Sequence, residues 1–169
     1  MGVFILKIKK LVLLSFLVAS GFVLSPILRV PGMAPMQHFI NVVTAVLLGK
    51  NYAVLGACMI AALRMMLLGI NILALTGAVF GAFLSGFMYQ RYTKVIFACL
   101  GEIIGTGIIG AIVSYYAVGV LYGNSNIAIF TYIPSFIMGT LIGTMVAYIF
   151  LNKLISQKIL ENIKSKLEG

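Results

Sequence analysis

Residues 7–28 read Lys-Ile-Lys-Lys, then Leu-Val-Leu-Leu-Ser-Phe-Leu-Val-Ala-Ser-Gly-Phe-Val-Leu-Ser-Pro-Ile-Leu, three lysines followed by eighteen residues without a charge. A helix crossing roughly 30 Å of hydrocarbon needs about 20 mostly apolar residues, and somewhat shorter runs suffice inside a bundle. The stretch is long and apolar enough. A secretory signal peptide opens in the same way, but here the run is expected to remain as a first transmembrane helix.

The rest of the chain has the same character. Of its 169 residues, 62% are hydrophobic and 9% charged, and the mean hydropathy is +1.16. A soluble domain carries roughly 25% charged residues. Twelve Lys and Arg stand against three acids, all Glu, which is too little charge to clothe a water-facing surface. The composition predicts an all-α integral membrane protein, a single transmembrane domain over residues 1–169.

Polar, Gly and Pro punctuation divides the chain into six apolar runs, at about 11–28, 38–49, 52–69, 72–90, 95–121 and 128–152. The second is short for a span and is expected to be tilted, partly interfacial or shielded by neighbours. With the N-terminus in the cytoplasm, the inner segments hold Lys7, Lys9, Lys10, Lys50, Arg91, Lys94, Lys153, Lys158, Lys164 and Lys166, and the outer ones Arg29. This asymmetry puts both termini in the cytoplasm and explains the +9 net charge without nucleic acid. Residues 153–169 form an amphipathic tail, with Ile155, Ile159, Leu160, Ile163 and Leu167 on one side. It is expected to continue the sixth helix along the inner membrane surface.

Whole classes of chemistry are missing. No Gly-x-x-x-x-Gly-Lys-Ser/Thr loop is present to hold ATP phosphates. No His-Glu-x-x-His or Cys/His cluster points to a metal, and nothing calls for a cofactor. Cys58 and Cys99 lie in apolar runs and read as small packing residues. Small residues recur at four-residue spacing as Ala74, Ala78, Ala82 and Gly86, as Gly77, Gly81 and Ser85, and as Ser135, Gly139, Gly143 and Ala147. Such ribbons let helix backbones approach closely in lipid. Ser15 and Ala19 make a shorter pair on the first helix, outside these ribbons, and suit a contact with another protein.

Polar groups inside a bilayer are costly and need a reason. Gln37, His38 and Asn41 open the second run after a loop stiffened by Pro31 and Pro35, and they either cap the helix or face a ligand. Arg64 lies about 18 Å from the inner end of its helix, and Glu102 about 10 Å from the inner end of the fifth. Long side chains can bridge part of that gap, so the two are expected to pair, structurally or as the floor of a pocket. At 100° per residue, Glu102, Thr106 and Tyr116 fall within about 40° of one face. With Asn71, Tyr115, Tyr132 and Phe136 near the outside, they outline an outward-opening pocket for a small, mostly apolar aromatic solute. The several basic groups expected for a phosphorylated one are missing.

The segments Pro35-Met-Gln-His-Phe-Ile-Asn-Val-Val43, Leu47-Leu-Gly49 and Gly101-Glu-Ile-Ile-Gly-Thr-Gly107 resemble the ThiW family, the substrate-binding S components of energy-coupling factor (ECF) transporters assigned to the thiazole precursor of thiamine. The likeness extends over nearly the whole chain. It implies capture of 4-methyl-5-(2-hydroxyethyl)thiazole from outside, with a transmembrane T component and two ATPase subunits supplying the energy. The T component would meet the small-residue motif of helix one, usually Ala-x-x-x-Ala and here Ser15-x-x-x-Ala19. His38, Gln37 or Asn41 would donate to the solute, Glu102 would accept, and Tyr116, Tyr132 or Phe136 would stack on its ring. The alternatives are an S component for another vitamin or precursor, and a self-sufficient secondary transporter, for which one intramembrane Glu is thin material. A membrane enzyme needs convergent catalytic groups, and His38 and Glu102 are expected near opposite membrane faces.

The topology is directly testable. Single cysteines placed at Gly2, Gly123 and Glu168 should react with an impermeant thiol reagent in intact cells only at position 123; labelling at either terminus would overturn the six-span arrangement.

Overall fold

The computed structural model describes residues 2–28, 34–123 and 128–168. The first outer loop, with Arg29 and Pro31, falls outside the described residues. Among these described residues seven helices follow in order: α1 (Gly2–Ile27), α2 (Pro35–Leu48), α3 (Lys50–Leu68), α4 (Leu73–Tyr92), α5 (Val95–Tyr122), α6 (Ile133–Ser156) and α7 (Ile159–Glu168). No strand occurs among the described residues. Helices α1, α3, α4, α5 and α6 each carry a span long and apolar enough to cross a membrane, and α2 is a shorter apolar helix. Phe16, Met66, Val120 and Met145 stand well exposed on the outer faces of four of these helices. Large apolar side chains displayed all round a bundle are at home in hydrocarbon rather than water.

The short helix is the centre. α2 touches every other helix, and 12 of its 14 residues are buried, as expected of a helix apolar on most sides. Of the sequence expectations for this run, shielding by neighbours holds. A single residue, Gly49, joins it to α3 with φ 87°, a backbone that L-residues with a Cβ rarely adopt. The chain therefore reverses at once, and α2 and α3 pack side by side.

Close backbone contact brings α4 against its neighbours. A Cβ at Gly105 would lie 2.5 Å from the Phe80 carbonyl oxygen, one at Gly101 2.5 Å from that of Leu84, and one at Gly86 2.4 Å from Lys50 Cα. Gly143 does the same between α6 and α2, where a Cβ would lie 2.3 Å from the Pro35 carbonyl oxygen. The small-residue ribbons are thus interhelical seams. Ala45, Ala53, Ala57, Ala78 and Ala82 form one such seam among α2, α3 and α4.

Helix α5 is not uniform. Residues Gly105–Gly110, Gly-Thr-Gly-Ile-Ile-Gly, are wound as π-helix. Bonding from i to i+5 takes up an extra residue, which turns the following face back by about 100°. Tyr116 then lies about 140° from Glu102 instead of about 40°, and Ser114 about 20° instead of about 120°. The structure agrees: Tyr116 is 58% exposed on the outside of the bundle, while Ser114 is buried and its hydroxyl lies 2.6 Å from that of Thr76 on α4.

The tail also departs from expectation. α6 stops at Ser156, Lys158 takes a left-handed φ of 57°, and α7 turns back onto the bundle. Leu160 and Leu167 are buried in the main core, whereas Ile155 and Ile159 are exposed. Lys164 Nζ donates to Tyr89 Oη at 2.7 Å, and Lys9 Nζ to the Lys166 carbonyl at 3.1 Å. The tail covers the lysine-rich end of the bundle, because its apolar side finds protein to pack on.

Candidate functional site

Glu102 on α5 is completely buried. A carboxylate in such a place is tolerable only when donors surround it. Its Oε1 receives bonds from Asn41 Nδ2 at 3.0 Å and Thr106 Oγ1 at 3.2 Å, and lies 2.9 Å from His38 Nδ1. Asn41 Nδ2 also reaches the Ala78 carbonyl of α4 at 3.3 Å. Thr106 lies one turn beyond Glu102, and His38 and Asn41 one turn apart on α2, so two helices converge on one oxygen. Gly81 of α4 leaves the room. A Cβ there would lie 2.0 Å from Thr106 Oγ1 and 2.8 Å from the Glu102 carboxyl.

The separation expected between His38 and Glu102 is therefore corrected. At 14 residues, α2 is only about 21 Å long, against roughly 30 Å of hydrocarbon. His38 sits about 15 Å along the helix from its Leu48 end, and Glu102 about 10 Å from the Val95 end of α5. An under-length helix brings its first turn down to the carboxylate. With these groups in contact, their separation no longer argues against an enzyme.

Arg64 has a partner that the sequence did not suggest. It is 5% exposed, and its guanidinium donates to Gln37 Oε1, while the hydrogen bonds to Glu102 come from α2 and Thr106. This bond orients the Gln37 amide. A guanidinium only donates, so the atom facing it must be the oxygen. Gln37 Nε2 is then directed elsewhere, and it has no hydrogen-bond partner among the described residues. Glu102 Oε2 and Asn41 Oδ1 are likewise buried without one there.

Above this group lies a cavity of about 170 Å³, at the end of the bundle remote from the lysine-rich end. It is small beside the roughly 300–1,000 Å³ of drug-sized ligand clefts. Gln37, His38, Arg64, Asn71, Thr106 and Phe136 line it. Phe136 packs over Gly77, where a Cβ would lie 2.9 Å from its ring. Asn71 is exposed at the rim and its Oδ1 accepts from the Leu73 backbone N–H at 3.3 Å, so it also caps the start of α4. Glu102 and Asn41 lie behind the wall rather than on it.

Of the aromatic candidates, Phe136 reaches the cavity. Tyr132 stands behind it with ring centroids 6.2 Å apart. Tyr115 and Tyr116 pack edge to face on each other at 5.2 Å, away from the site. Sequence reasoning missed Ser114 and Thr76, and it took Gly77 and Gly81 for packing alone. The signal was the glycine-rich Gly105–Gly110, which marks abnormal winding. No group of three or more potential metal ligands occurs among the described residues.

A bundle of apolar helices around a polar-floored cavity at one end is the architecture of a multi-pass membrane protein with a site between its helices. The chain belongs to the ThiW family: the model of thiamine-precursor transporter proteins matches residues 11–157, nearly the whole helical bundle. It is accordingly a multi-pass protein of the cell membrane with a role in vitamin-precursor transport. No curated protein and no solved structure matches it.

The space left by Gly81 can be probed. Gly81→Ala should cost roughly 1–3 kcal/mol by displacing donors from a buried carboxylate, read as a lower melting temperature in detergent. Adding Thr106→Ala removes the nearest atom and should restore part of the loss. Equal losses in both backgrounds would mean that the clash lies elsewhere.

Proposed function

We propose that this protein is the substrate-capture subunit of an ECF importer and that the cavity beside His38 takes 4-methyl-5-(2-hydroxyethyl)thiazole. The observation that carries this reading is the bond from His38 to Glu102 directly behind the cavity wall. Nδ1 faces the carboxylate, so Nε2 is the imidazole nitrogen left to bond a solute hydroxyl. Phe136 offers the ring a flat apolar wall. The modest volume suits a solute of this size, and Arg64, the one guanidinium on the wall among the described residues, is turned to Gln37, which suits an uncharged solute better than its phosphate ester.

Both termini are cytoplasmic in this reading and the cavity opens outward, since it lies at the end away from the lysines. Capture and transport are then separate tasks. The chain has no phosphate loop and meagre means of coupling to an ion gradient, so a T component and two ATPases move the solute. Ser15 and Ala19 are exposed on α1 beside Phe16, a smooth strip on which a partner helix can lie closely. The enzyme reading loses ground, because the family is one of transporters.

Two measurements test the proposal. His38→Ala should weaken binding of the thiazole about 5- to 150-fold by calorimetry on detergent-purified protein, the loss of one buried hydrogen bond. Unchanged affinity would place the solute elsewhere. Ser15→Leu with Ala19→Leu should leave binding near normal and abolish uptake in cells that contain the full transporter; normal uptake would exclude this face as the coupling surface.

A further inference from the structure

Gln37 is 2% exposed, and its amide is not free to turn. Gln37 lines the cavity, and with Arg64 holding Oε1 its Nε2 is a buried donor with no acceptor among the described residues. A buried amide N–H left unmatched is unfavourable, and this one belongs to a residue of the cavity wall. The residue next to it in sequence is held in the same way, since His38 directs Nδ1 to Glu102 and leaves Nε2 for a solute. Two neighbouring wall residues, Gln37 and His38, are thus each oriented by a charged residue on another helix.

We propose that Gln37 reads the lone pair of an unsubstituted aromatic ring nitrogen, so that the site admits the neutral thiazole and rejects its N-substituted thiazolium. The inference rests on the thiazole reading above and adds a selectivity to it. A quaternised ring nitrogen has no lone pair to accept the Gln37 N–H. Thiamine itself contains such a nitrogen. The protein would therefore take the precursor and exclude the finished vitamin on electronic grounds, before size matters.

The test compares two probes by calorimetry on the detergent-purified full chain: hydroxyethylthiazole and its N-methyl thiazolium salt. The wild type should prefer the neutral ring by about 10-fold or more. Gln37→Glu keeps an oxygen for Arg64 and replaces the donor by an acceptor, so it should shrink or invert that ratio; a melting curve checks that it folds. Equal wild-type affinity for both probes would overturn the inference and leave the thiazole reading standing. A wild-type preference that survives Gln37→Glu would overturn the role of Gln37. Failure of the wild type to bind either probe would overturn the thiazole reading and the inference together.

Discussion

One carboxylate oxygen organises the bundle. Glu102 is buried among helices whose outer faces are apolar, so nothing outside the protein can solvate it. Oε1 draws Asn41 and Thr106 as donors and has the His38 imidazole beside it. Meeting that demand requires α2 to end its first turn deep in the bundle, Gly81 to stand aside, and α5 to present Thr106 one turn above the acid. A longer α2 would carry His38 past the carboxylate. A side chain at position 81 would occupy the donors' place. The cavity is the space left above this arrangement, where α2 starts too low to fill the bundle to its end.

The polar groups fall into two sets with separate anchors. Glu102 orients His38 from α5, and Arg64 orients Gln37 from α3. These anchors lie on different helices, yet the residues they hold are neighbours on α2. The central helix therefore carries the wall chemistry, and its surroundings decide which atoms donate and which accept. The same helix touches all the others, so displacement of any one of them reaches the wall through α2.

Much of this was legible in the sequence. The apolar runs located the five long helices and the short α2, although α1 begins at Gly2 rather than near residue 11, and charge scarcity drew attention to polar residues that line the cavity. Gln37, His38, Arg64, Asn71, Thr106 and Phe136 were all singled out and all line the cavity. What failed was depth and angle. Reading each run as a full crossing set His38 too far from Glu102, although the brevity of residues 38–49 held the correction. Assuming uniform winding put Tyr116 on the inner face and hid Ser114. The tail was read against lipid, because its amphipathic pattern does not say which apolar surface it meets. Gly77 and Gly81 were seen as seams between backbones, and their second role, as space for Phe136 and for the acid's donors, has no signature in spacing alone.

The π-wound segment has a consequence for how such a pocket changes over generations. A relative one residue shorter within 105–110 could wind α5 as plain α-helix without disturbing the contacts below Gly105. Everything after the deletion keeps the facing that the extra residue now gives it. A relative of the same length that lost the π winding would instead rotate its upper half and bring the residue at 116 inward in place of the one at 114. Insertions and deletions in a membrane helix are usually counted as damage to a span. Here the extra residue acts as an adjustable spacer, and the glycines at 105, 107 and 110 keep that spacer soft.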